Sequence, residues 1–82
     1  MNILIYRYGS ICEPDVITGF QALGNQVSEI TAEIYNKNLP PSEGVTLLKN
    51  ELLTYSYDFV FSINFFPFIS EVCNIFQIRY RR

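Results

Sequence analysis

The chain has 82 residues, 49% of them hydrophobic and 16% aromatic, with a net charge of −2 and no histidine. That length accommodates one small domain over residues 1–82, and a domain of this size buries only roughly 60% of its unfolded surface. The composition excludes the polar, charge-rich pattern of disorder, the six basic residues make no stripe for nucleic acid, and no apolar run approaches the ~20 residues of a membrane span.

The start MNILIYRYG has neither the basic region nor the cleavage site of a signal peptide, so a cytoplasmic protein is expected. Without histidine the commonest general base, the histidine-dependent triads and histidine metal sites are all unavailable to this chain. Cys12 and Cys73 stand far apart and neither has a CxxC partner, so free thiols are expected, with no metal site and no cofactor. Cys12 also fails as the nucleophile of a Cys-x5-Arg loop, because position 18 is Thr18.

NILIYRY, residues 2–8, is a short apolar run suited to a strand buried on both faces. After Gly9 and Ser10, Glu13-Pro14-Asp15 opens a helix, with proline in the first turn and acids at the positive end of the dipole. Val16, Phe20 and Leu23 form its predicted stripe, Gly24 and Asn25 end it, and Gly19 is read as a point of close helix-on-sheet packing. QVSEITAEI, 26–34, mixes apolar and polar residues and reads as an edge strand. NKNLPPSEG is a loop that delivers Ser42 as N-cap of a second helix reaching about Tyr55, with Val45, Leu48, Leu52 and Tyr55 on its core face. YDFVFSIN, 57–64, is the third strand. A third helix starts near Pro67, where Ile69, Val72, Cys73 and Phe76 follow helical spacing and make Cys73 a small buried hydrophobe.

The order β-α-β-α-β-α, with crossover-length connections, predicts an α/β fold: a three-layer, Rossmann/flavodoxin-like parallel sheet, here an incomplete half-domain. The most polar strand belongs at the edge and the first strand in the centre, giving the spatial order 2-1-3. Ligands in such sheets bind beyond the strands' carboxyl ends at the switch between the first and third strands. That rule selects Tyr8, Gly9, Ser10, Glu13, Asn64, Phe65 and Phe66 as candidate ligand-binding residues.

Each candidate has two readings. Tyr8-Gly9-Ser10 is either an anion-binding turn beside a helix N-terminus or a tight turn that needs glycine. Glu13 is the one acid placed to serve as a general base there, or it simply favours the helix dipole. Asn64 binds an acceptor hydroxyl or caps the third helix. Phe65, Phe66 and Phe68 stack a sugar or close the core.

IYRYGSICEPD, the ITAEIYNKN and NLPPSE region, and above all DFVFSINFFPFISEVCNIF resemble the N-terminal domain of CgeB-like glycosyltransferases, relatives of a spore-maturation protein. The resemblance runs over nearly the whole chain. It implies two Rossmann-like halves in the complete family member, an acceptor-facing N-terminal half and a C-terminal half that holds the nucleotide-sugar. This chain ends at FQIRYRR, where a family member begins its fourth strand, so a non-catalytic, truncated module is expected, with a glycan or protein acceptor in a full-length relative. A third strand lacking an outer neighbour leaves an apolar edge, which predicts a homodimer through that strand or through the C-terminal helix. Membrane and nucleic acid are not expected partners.

The alternative is a flavodoxin-like or receiver-like small ligand-binding module. YGS resembles the start of a flavin phosphate loop, but ICEPD then supplies too few hydroxyls. A receiver needs an aspartate ending the third strand, where this chain has Asn64.

Overall fold

A computed structural model describes residues 1–82. Asn2–Tyr6 (β1), Gln26–Ile30 (β2), Phe59–Phe61 (β3) and Arg79–Arg81 (β4) form one sheet of parallel pairings in the order β2-β1-β3-β4. The helices are Glu13–Ala22 (α1), Ala32–Tyr35 (α2), Pro41–Thr54 (α3) and Pro67–Phe76 (α4). The α/β class, the parallel sheet and the 2-1-3 neighbour order are as expected. Ile3, Leu4, Ile5 and Tyr6 of the central strand are essentially inaccessible, and polar β2 pairs only with β1.

Side-chain alternation sends Leu4, Tyr6, Ile30 and Val60 to one face, where they pack with Leu48 and Leu52 of α3 and Ile69, Val72 and Cys73 of α4. Ile3, Ile5 and Phe59 point to the other face and meet Ile17 of α1. One face is therefore roofed by two helices and the other by one.

The largest correction concerns β3. Arg79–Arg81 pairs alongside it, Phe59 with Arg79 and Phe61 with Arg81, so the third strand is flanked on both sides and has no free edge. The connection is short because Gln77 adopts a left-handed conformation (φ 57°) and the Ile78 N–H returns to the Cys73 carbonyl at 2.9 Å, a Schellman closure of α4. A run of alternating arginine and tyrosine carries little apolar strand signal, yet Tyr80 and Ile78 pack against the core.

Smaller corrections have local causes. The second strand stops at Ile30, not residue 34, because its partner β1 ends opposite at Tyr6, and residues 32–35 turn into α2. Leu23 is 81% exposed and Tyr55 59% exposed, since each lies just past the last residue of its helix; Ile17 takes the inward place on α1. Ser42 sits inside the first turn of α3, whose N-cap is Pro40, and makes no side-chain cap. Gly19 faces open space, whereas Gly44 is the glycine of close approach. A Cβ at Gly44 would lie 2.8 Å from Phe68 Cζ and 2.9 Å from the Tyr6 hydroxyl. No helix is long and apolar enough to cross a membrane. Both cysteines are free, Cys12 exposed and Cys73 buried.

Candidate functional site

Beyond the end of β1 the chain turns at Gly9, whose φ of +101° is a left-handed conformation that other residues adopt only with strain. Into that turn folds the side chain of Glu13 from the first turn of α1, only 1% exposed. Its Oε2 accepts the Tyr8 N–H at 2.8 Å, and its Oε1 accepts the Gly9 N–H at 2.8 Å and Arg7 Nε at 3.3 Å. Arg7 reaches Glu29 Oε1 on β2 with its other arm, at 3.0 Å. Burial works against the Arg7 charge, but its bonds to Glu29 and Glu13 outweigh that and hold the guanidinium above its ordinary range. The loop thus folds around an anion of its own.

The β3–α4 loop is held from the opposite side. Ser62, fully buried, donates to the Asn64 carbonyl at 2.5 Å and shares a hydrogen bond with the Tyr80 hydroxyl of β4. That hydroxyl also accepts the Phe66 N–H at 3.2 Å. One long bond links the two loops, from Ser10 Oγ to Asn64 Oδ1 at 3.4 Å.

Of the residues selected from sequence, Tyr8, Gly9, Ser10, Glu13, Asn64 and Phe66 meet at this end of the sheet. Tyr8 contacts Phe66 with ring centroids 6.2 Å apart, and Phe66 also packs edge-on against Tyr6 at 5.1 Å. Phe65 turns away and stacks on Tyr80 at 6.0 Å beneath Arg82, beside a cavity of about 310 Å³ on the β4 side. Asn64 does not cap α4, whose N-cap is Phe66 with no side-chain cap bond. The three surface cavities include none of Tyr8, Gly9, Ser10, Glu13 or Asn64.

Chemically this end offers a half-buried hydroxyl and an exposed amide, from Ser10 and Asn64, next to an aromatic face. Lys37 Nζ lies 3.7 Å from the Tyr8 ring centroid and covers that face. Neither an anion nor a proton transfer is well served. Two first-loop amides of the kind that elsewhere receive a phosphate, those of Tyr8 and Gly9, are donated to Glu13, and the Glu13 carboxylate, enclosed with three N–H donors on it, lies out of reach of a bound substrate's proton. Comparison with protein-family models, curated proteins and solved structures returned no match.

Arg7, Lys37 and Tyr80 join this region without having been selected from sequence. Arg7 had a signal, since it is the lone cation in an otherwise apolar strand run. Tyr80 and Lys37 had none, because their roles depend on how distant segments fold together. Tyr6 completes the picture beneath the surface. Its hydroxyl is buried with no hydrogen-bond partner in proper geometry. Burial first, and then the neighbouring Glu33 carboxylate, raise its ionisation far above the ordinary phenol range.

Proposed function

We propose that the chain is a non-catalytic binding module with an acceptor-side or protein-interaction role, comparable to the acceptor-facing part of a CgeB-like glycosyltransferase. The Glu13 carboxylate carries this reading: it occupies the Tyr8 and Gly9 amides, two of the first-loop donors that a nucleotide or flavin phosphate would use. A domain that faces an acceptor has no use for a phosphate cradle. The same bonds count against the flavodoxin-like alternative, and Asn64 in place of an aspartate counts against a receiver.

Calorimetric titration with UDP-glucose and with flavin mononucleotide tests the reading, alongside a transfer assay with nucleotide-sugar and a mixed glycan acceptor panel. The expected result is no nucleotide or flavin binding and no transfer. Saturable binding of either phosphate ligand, or glycosyl transfer by this chain alone, overturns it.

Self-association belongs to the same proposal, moved from β3 to the α4–β4 end because β3 is flanked on both sides. Phe65 is 49% exposed and Ile75 69% exposed there, an apolar surface of the kind that recruits a partner. Sedimentation that finds only monomer at tens of micromolar removes the dimer.

A further inference from the structure

At the amino ends of the strands, opposite the loops just described, the sheet and α3 enclose a cavity of about 290 Å³. Its floor is polar for a positional reason. Asn2 and Gln26 are register partners, as are Leu4 and Ser28, so Asn2, Gln26 and Ser28 lie on the face that packs against α3 and α4. There β2 offers an amide and a hydroxyl beside Asn2 and Leu4 of β1, and its apolar Ile30 comes only opposite Tyr6. The helix finds no apolar floor at this corner and the space stays open.

The walls give the cavity a sign. Glu51, in the last turn of α3, lines it together with Tyr55 and Tyr57. The Tyr57 hydroxyl donates to Glu51 Oε1 at 2.6 Å, but no cation pairs with Glu51, since both ion pairs of the molecule belong to Arg7. No lysine or arginine lines the cavity. The last turn of α3 also carries no basic residue, so the negative end of the helix dipole adds to the carboxylate uncompensated. The rings of Tyr55 and Tyr57 stand 6.5 Å apart at 69°, forming two walls of a corner instead of a stack.

A carboxylate, a helix carboxyl end and two electron-rich ring systems around one opening attract positive charge and repel anions. A bare divalent ion is poorly served, because it needs six or more oxygen ligands and one carboxylate dominates here. An ammonium head carrying carbon is suited to both components, its charge to Glu51 and its C–H surface to the rings. We propose that this corner binds a small organic ammonium ion, its head between Tyr55 and Tyr57 and against the Glu51 carboxylate. The site lies at the other end of the sheet from the region argued above and stands independently of that reading.

Choline is the probe, titrated into the full chain at constant ionic strength and followed by amide and tyrosine-ring NMR shifts. Its uncharged carbon analogue, dimethylbutanol, serves as the control of equal shape. Choline is expected to give saturable shifts around Ser28, Glu51 and Tyr57 and to bind about tenfold more tightly than the analogue. Glu51→Gln keeps an acceptor for the Tyr57 hydroxyl while removing the charge, and is expected to weaken choline about tenfold while leaving the analogue unchanged. Tyr55→Ala truncates an exposed ring with little consequence for folding and is expected to weaken choline several-fold. No saturable choline shift, equal binding of the uncharged analogue, or a Glu51→Gln variant that binds choline as tightly as the parent would each overturn the proposal.

Discussion

Two glutamates at opposite ends of one sheet meet opposite fates. Glu13, at the carboxyl ends of the strands, is enclosed with two backbone N–H groups and a guanidinium on its oxygens. Glu51, at the amino ends, keeps one tyrosine hydroxyl and borders an open cavity. The difference teaches where to look for binding in a small α/β domain: the usual end is closed by its own side chains, and unspent charge lies at the unusual one. It also separates a carboxylate that holds the fold together from one that the fold can lose.

The sharpest way to test that separation is to remove the enclosed partner. Glu13→Ala strands the Tyr8 and Gly9 N–H groups and is expected to cost about 3 kcal/mol in a denaturant titration. A loss below about 1 kcal/mol would mean that the loop does not depend on its internal anion. Next comes the packing beneath the same end. Gly44→Ala drives a methyl group against Phe68 and the Tyr6 hydroxyl and is expected to destabilise by about 2 kcal/mol; a neutral result would show slack where the contact distances leave none.

Alkaline pH probes the buried groups on that roofed face. Burial pushes the Cys73 thiol up to about 11 from its ordinary 9.0, and Tyr6 is raised as well. Both hold their protons more tightly folded than unfolded. The Cys73 stabilisation is therefore intact below pH 9, its ordinary value, and is lost as pH climbs through about 11, whereas the Tyr6 contribution starts to fall only above 10.0 and persists to higher pH. The Cys73 share of the loss is on the order of 3 kcal/mol, read from melting temperatures, and Cys73→Ala should flatten that part of the curve.

Tyr6→Phe removes a buried hydroxyl that lacks a partner and is expected to raise stability by about 1 kcal/mol. A fall instead would reveal that the Tyr6 hydroxyl donates a hydrogen bond to Glu33 in solution. Last, Glu51→Gln is expected to shift stability by no more than about 0.5 kcal/mol. A large loss there would erase the contrast between the two glutamates.

Much of the framework was legible in the residues themselves. Pro14 and Pro67 each mark a helix start, the positive φ of Gly24 lies just past α1 as its position implied, and the polarity of Ser28 and Glu29 places β2 at the edge. What escaped depends on contacts between distant segments. Nothing in Arg79-Tyr80-Arg81 announces a strand, because its strand character comes from pairing with Phe59–Phe61. Gly19 and Gly44 are alike as letters, and only the placement of Phe68 and Tyr6 makes one of them tight.

The site followed the same division. Topology alone brought Tyr8, Ser10, Asn64 and Phe66 to one end, as the switch-point rule requires. It could not foretell that Glu13 would turn back to close that end, or that Phe65 would leave for Tyr80. The polar letters of β2 were visible as an edge signature, but their meaning as a cavity floor needed the end of α3 above them.

Tyr80 ties the shape of the loop before α4 to a residue 18 positions further along than Ser62. Without the Tyr80 hydroxyl, Ser62 Oγ would keep only the Asn64 carbonyl and the Phe66 N–H would lose its acceptor. The shape of the loop before α4 is thus borrowed from the strand that follows the helix.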